Sequence, residues 1–254
     1  KMLYMDVKTL SFKPENYLST LTHELQHAIH WNADPDEETW VNEGLSELAS
    51  SIIGYQPAFI SAFLRNPQTS LTIWPTNPRS TAAHYGASTL FFNYLFRHYG
   101  NNETIKDLVK DQHDGIDGIN SYLSNNGSSI TFLDVFRNWV VANYINSSEG
   151  IYSNFTRHKD IKTLGTINKY RELKGTVGQF ATDYIKLRPP EGKALMKFKG
   201  DVKTNVIPVV PHSGKYCWWG NRGDSINSTL TRNFDLSHLD TATLQFWTWY
   251  EIEE

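Results

Sequence analysis

His23-Glu24-Leu25-Gln26-His27, followed further on by Asn42-Glu43-Gly44, is the stretch from which this chain is read. On a helix, residues four apart share a face, so His23 and His27 can aim both imidazoles at one metal ion. Glu24, turned by about 100° from His23 at 3.6 residues per turn, stands beside such an ion and is the candidate general base. Zinc needs a third protein ligand if a fourth position is to stay open for water, and Glu43 is the best candidate in the segment that follows. The expectation is a zinc-dependent peptidase. His30 shares the face of His23 and His27. It lies roughly 10 Å along the helix axis from His23 at 1.5 Å rise per residue, too far to converge on one ion with bonds of about 2 Å.

Helix context supports the motif. Tyr17, Leu18, Leu21, Leu25, Ala28 and Ile29 recur at helical spacing around it, Pro14 suits a first turn, and the helix is expected over about 14–31. Asp34-Pro35-Asp36-Glu37 carries helix-start signals, so a second helix is expected to begin there or nearer Thr39 and to end at Gly54. On it, Glu43 and Glu47 face the same way. Glu47 is then placed to accept a hydrogen bond from the second nitrogen of a ligand histidine, or else is a solvated carboxylate.

The His23–His27 motif followed by Thr39-Trp40-Val41-Asn42-Glu43-Gly44-Leu45-Ser46-Glu47 resembles the gluzincin metallopeptidases, in which a Glu on a second helix completes the site. Within them it is most similar to bacterial hyicolysin-type enzymes. His84-Tyr85-Gly86-Ala87-Ser88 is similar to a stretch that follows the zinc ligands in those sequences. Peptide hydrolysis puts negative charge on a carbonyl oxygen, and Tyr85 is the expected donor to it, with His84 the alternate; the plain alternative is an aromatic helix start packed on the core. At the far end, Trp218-Trp219-Gly220-Asn221-Arg222-Gly223-Asp224 and Leu244-Gln245-Phe246-Trp247-Thr248-Trp249-Tyr250 resemble the accessory β-domain of immune inhibitor A-type secreted metallopeptidases. Those enzymes are metzincins, whose longer motif needs Gly at position 30 and His at 33. This chain has His30 and Ala33 there, so the catalytic resemblance is to the gluzincins.

With 254 residues, two domains are expected. A net charge of -3 gives no basic excess for nucleic acid, and no run approaches the ~20 apolar residues of a membrane span. The single cysteine, Cys217, rules out an intramolecular disulfide framework. Asn102, Asn126, Asn146, Asn154 and Asn227 each open an Asn-X-Ser/Thr triplet and are read as exposed loops. Lys1 reads as the start of a mature or trimmed product, and a secreted or cell-surface bacterial protein is expected.

Met2 to Val7 is expected to be one strand. Zincin-like domains carry several strands before the metal helix, so the N-terminal sheet is expected to be truncated. Further helices are expected over about 56–65, 81–99, 103–111, 115–125 and 131–145, with an irregular segment over 66–80 that borders the cleft. From residue 168 the texture changes, and 176–186, 194–199, 205–210, 215–219, 228–234 and 243–251 read as short strands. The fold class expected is α+β: a zincin-like, mainly helical catalytic domain over 1–167, then a partial antiparallel β-sandwich over 168–254. Zn2+ is the expected cofactor, and Asp201, Asp224 and Asp235 are candidates for a structural Ca2+. Expected partners are protein or peptide substrates. The competing hypothesis is an extracellular adhesion or glycan-binding protein with a vestigial or structural zinc site, working through Trp218, Trp219, Trp247 and Trp249.

Overall fold

Proline at the first helical position and an acid in the first turn start helix α1, which runs Pro14–Ala33 and carries the motif. The computed structural model describes residues 3, 8, 14–155, 158, 160–168, 172–188, 195–201, 203–205, 207–220 and 227–250. The strand expected over 2–7 lies, apart from Leu3, outside the described residues. Helix α2 spans Thr39–Ile53. It ends at Gly54 in the left-handed region (φ 102°), where the Gly54 and Tyr55 N–H groups donate to the Ser51 and Ser50 carbonyls; only glycine takes that cap without strain. Then come α3 (Ile60–Arg65), a 3-10 turn at Pro78–Ser80, α4 (Ala82–Tyr99), α5 (Ile105–Lys110), α6 (Gly115–Asn125) and α7 (Phe132–Ile145). Thr131 and Asp134 form a capping box at the start of α7.

Helix α4 is central. Its residues from Gly86 to Leu95 are buried on every side, the mark of a helix enclosed by others, here α2 and α3 with α7 alongside. The core is aromatic: Phe91 meets Phe92, Trp139 and Trp40 at ring-centroid distances of 5.4, 5.6 and 6.0 Å, and Phe63 stacks on Trp139 at 5.5 Å. Such pairs contribute about 0.5–1.5 kcal/mol each beyond the area they bury. No described helix is long and apolar enough to cross a membrane.

The apolar stripe of α1 marks the helix, yet Leu18, Leu25 and Ile29 are exposed while the buried residues of α1 are Gln26 and His30. The polar set His23, Gln26, His27 and His30 has the stronger claim on α2 because it finds hydrogen-bond partners there. One expectation needs correction: the antiparallel sandwich is not found. The described strands are β1 (Gly165–Ile167) and β2 (Ile185–Leu187), paired in parallel with Gly165 opposite Ile185. The described residues of 195–250 form no strand and none of them is buried, Phe198 and Trp218 being 90% and 83% exposed. A short apolar run becomes a strand only where a partner edge and a covering layer exist, and the alternation of single runs supplies neither.

The chain divides into compact units at 1–194 and 195–254, later than the change of texture at residue 168. The described residues of 161–187 pack on the helices. Lys162 N–H donates to the Leu64 carbonyl, Leu71 N–H to that of Phe180, and the buried Tyr184 hydroxyl to that of Val140. The Phe180 ring lies 5.2 Å from that of Phe132.

One close approach positions the site. A β-carbon on Gly44 would sit 2.1 Å from Phe92 Cδ2, so α2 and α4 touch at a point only glycine allows. Glu43 is the neighbour of Gly44, and Tyr85 lies on the same helix as Phe92. Gly44→Ala is expected to destabilise the chain by about 1–3 kcal/mol through overpacking, measured by thermal or denaturant unfolding. Phe92→Leu in the same chain should recover part of that loss, whereas a silent Gly44→Ala would mean the two helices do not meet there.

Candidate metal centre

Helices α1 and α2 lie against each other and bring three donor atoms together. His23 Nε2 lies 3.0 Å from His27 Nε2 and 3.2 Å from Glu43 Oε2, and His27 Nε2 lies 3.4 Å from the same oxygen. The edges of a tetrahedron with bonds of about 2.0–2.2 Å measure about 3.3–3.6 Å, so the three atoms are close to one face of a zinc coordination shell. Glu43 and the two histidines thus meet as the sequence proposed. The remaining ring nitrogens are engaged: His23 Nδ1 lies 3.2 Å from Glu47 Oε1, and His27 Nδ1 bonds Asn42 Oδ1, with the Ser46 hydroxyl at 3.0 Å. With protons on both Nδ1 atoms, the two Nε2 lone pairs and the carboxylate face one another, an arrangement that could hold a cation.

The electrostatics agree. Burial lowers the affinity of His23 for a proton, but its contacts with Glu43 and Glu47 outweigh that and raise its pKa to about 9. Burial likewise raises Glu43, and His23 and His27 overcome it to hold the carboxyl at about 2. Without metal, a proton at His23 therefore does the work of the cation.

Tyr85 reaches this group from α4. Its ring centroid lies 6.3 Å from that of His23, and its hydroxyl lies within electrostatic reach of the Glu43 carboxylate. Burial, then the carboxylates of Glu43, Glu47 and Glu24, push the phenol pKa up, so the hydroxyl keeps its proton and stays a donor. The same effect places the half-buried Glu24 within electrostatic range of Tyr85. Phe59 and Trp74 hold the Tyr85 ring at 5.6 and 4.9 Å, and Trp74 brings the irregular 66–80 segment to the edge of the site. His84 turns elsewhere. Its ring packs against Trp74 at 5.9 Å, and burial lowers its pKa against the nearby Ile73 and Ser70 backbone.

Three residues were not singled out from sequence: Asn42, Gln26 and Ser46. The Ser46 hydroxyl donates to Gln26 Oε1, while Asn42 Nδ2 and Gln26 Nε2 approach His30 Nδ1 at 3.3 and 3.5 Å. Their signal was positional, since each lies one helical turn or one residue from a ligand on the facing side. His30 is fully buried, and burial together with the charge of His27 lowers its pKa to about 4. The acids that read as a helix start before α2 form a separate group, in which Asp34, Asp36 and Asp114 approach one another and Asp34 also approaches His30 and Glu37. Burial, then the charges of Asp34 and Asp114, push Glu37 up to about 7 against bonds from the Gly115 and Glu38 N–H groups. For calcium, Asp224 lies outside the described residues, and neither Asp201 nor Asp235 belongs to a described cluster of ligand-type side chains. A cavity of about 480 Å³ lined by Tyr144 and residues 183–188 shares no residue with the metal centre.

Zinc should be lost from His27→Ala and strongly weakened in Glu43→Ala, but not in His30→Ala, as read by elemental analysis and chelator competition. Asn42→Ala and Glu47→Gln should each weaken zinc about 10–100-fold, the usual effect of removing the partner of a ligand. Because zinc displaces the proton that His23 holds up to about pH 9, affinity should rise with pH towards 9 and flatten above it. Calorimetry near neutral pH in buffers of different ionisation enthalpy should find about one proton released per zinc. No release would contradict the geometry of His23.

No protein-family model matches the chain and no curated protein matches it, so the case for a metal centre stands on this geometry and on the motif residues.

Proposed function

We propose that the chain is a zinc-dependent endopeptidase acting on protein or peptide substrates outside the cell. The observation that carries this is the triangle of His23 Nε2, His27 Nε2 and Glu43 Oε2, with edges of 3.0–3.4 Å and both Nδ1 atoms held from behind. These three residues would hold zinc, which would supply a Lewis acid and an activated water. Glu24 precedes the site on α1 and ligates nothing. Its carboxylate accepts a proton from the attacking water and returns it to the leaving amine. The Tyr85 hydroxyl, kept protonated by burial and by nearby carboxylates, donates to the carbonyl oxygen as charge builds there. Glu47 and Asn42 fix the imidazole orientations, so the centre is organised before substrate arrives.

A second reading, an extracellular adhesion or glycan-binding protein, finds support in the exposed aromatics Trp218, Trp219, Trp247 and Trp249. It predicts binding without turnover, and an assay on a denatured protein substrate with and without chelator separates the two.

Glu24→Gln keeps size and zinc but removes the proton acceptor, so kcat on a fluorogenic peptide should fall by about 10²–10⁴-fold with zinc content unchanged. Tyr85→Phe should lower kcat by about 10²–10³-fold with little change in KM, and His84→Ala should do much less. Near-normal turnover in zinc-loaded Glu24→Gln would end the peptidase assignment.

A further inference from the structure

The C-terminal end of α1 carries a second group of ligand-type side chains. Asp34 is 2% exposed, and its Oδ2 has no hydrogen-bond partner; neither has Nε2 of the fully buried His30. One carboxylate oxygen from each of Asp34, Asp36 and Asp114 lies within 4.8 Å of the others, and Asp34 approaches His30 and Glu37 to the same limit. A buried carboxylate oxygen with no donor, set among further carboxylates, is neutralised either by a proton, the direction in which burial and then Asp36 push Asp34, or by a cation.

The hydrogen-bond pattern decides which atoms can act as ligands. Asn42 gives its Oδ1 to His27 and Gln26 gives its Oε1 to Ser46, so the amide nitrogens of both turn to His30 Nδ1, which accepts. Neutral His30 then carries its proton on Nε2, the buried nitrogen that has no hydrogen-bond partner. A protonated nitrogen does not bind metal, so the donor set is oxygen alone. Carboxylate oxygens are the donors calcium takes, at about 2.3–2.6 Å, whereas zinc sites draw mainly on nitrogen and sulfur. Asp36 and Asp114 are exposed, leaving room for the waters that complete a calcium shell.

We propose that Asp34, Asp36 and Asp114 bind a calcium ion, with His30 as a proton-bearing neighbour and not a ligand. The part given to His30 rests on the zinc reading of the first centre, which fixes the proton on His27 Nδ1; the part given to the three aspartates does not. Asp34 and Asp36 belong to the connection between α1 and α2, and Asp114 immediately precedes α6, where the Gly115 N–H already donates to Glu37 Oε1 at 2.8 Å. The ion ties the turn between the two ligand-bearing helices to a third helix.

The test is thermal unfolding and calorimetric titration of the whole chain with calcium chloride. Calcium at about a hundred times its Kd should raise Tm by on the order of 5 °C, with one ion bound per chain. Asp36→Asn and Asp114→Asn, both at exposed positions, should abolish the rise, and His27→Ala should leave it intact. A calcium response that persists in a chain retaining no zinc would remove the peptidase reading and support the aspartate site. No response to calcium, or one unchanged by both aspartate variants, would overturn the proposal. So would a response to zinc and not to calcium that is lost in His30→Ala, since His30 would then be a ligand.

Discussion

The contact between the polar face of α1 and the ligand-bearing face of α2 is what the rest of the site depends on. It joins His23 and His27 to Glu43, and behind them Glu47, Asn42, Ser46 and Gln26, in one network of short polar contacts. Every donor and acceptor in it constrains the next. The proton on His27 Nδ1 orients Asn42, and Asn42 determines how it meets His30. Such a network fixes ring orientation more tightly than apolar packing can, because imidazoles and amides must match in both position and proton count.

The second support is apolar and lies on the far side of α2. Trp40, Val41, Leu45 and Leu48 are buried against α4 and the aromatic core, while Glu43 and Glu47 point to α1. Helix α2 therefore has two working faces, one anchored in aromatic packing and one presenting carboxylates. Gly44 lets Phe92 close in, and that closeness sets the depth at which α4 carries Tyr85 to Glu43.

What could be read from sequence follows from how local each signal is. The helices α1, α2, α4, α6 and α7 were legible because each carries helical periodicity with a Pro, Thr or Gly at its end, and the His23–His27 pair because its spacing is fixed by helix geometry; Glu43, on a second helix, was the best third-ligand candidate in the segment that follows. Glu47 followed from the same geometry. The inward face of α1 was not legible, because periodicity marks the helix without saying which face is covered, and the helix turns inward the side chains that find partners on α2. Asn42 escaped notice because an amide next to a ligand has no motif of its own. The strands expected beyond residue 168 failed for a different reason, since pairing is non-local and a run such as 215–219 does not name its neighbour.

Helix α1 places no residue in the apolar core of the chain. Its described attachments are polar along its length. Ser50 Oγ donates to the Ser19 carbonyl near one end, the histidine and carboxylate network holds the middle, and Gln112 Nε2 donates to the Ala33 carbonyl at the other end. Net gains from such contacts are about 0.5–1.5 kcal/mol each, less than apolar burial of similar extent supplies. A helix attached in this way would gain stability from any cation held by the donors it shares with α2. Since a metal that binds only the docked helix stabilises docking by its own binding free energy, the residues that could hold an ion are also those that hold α1 in place.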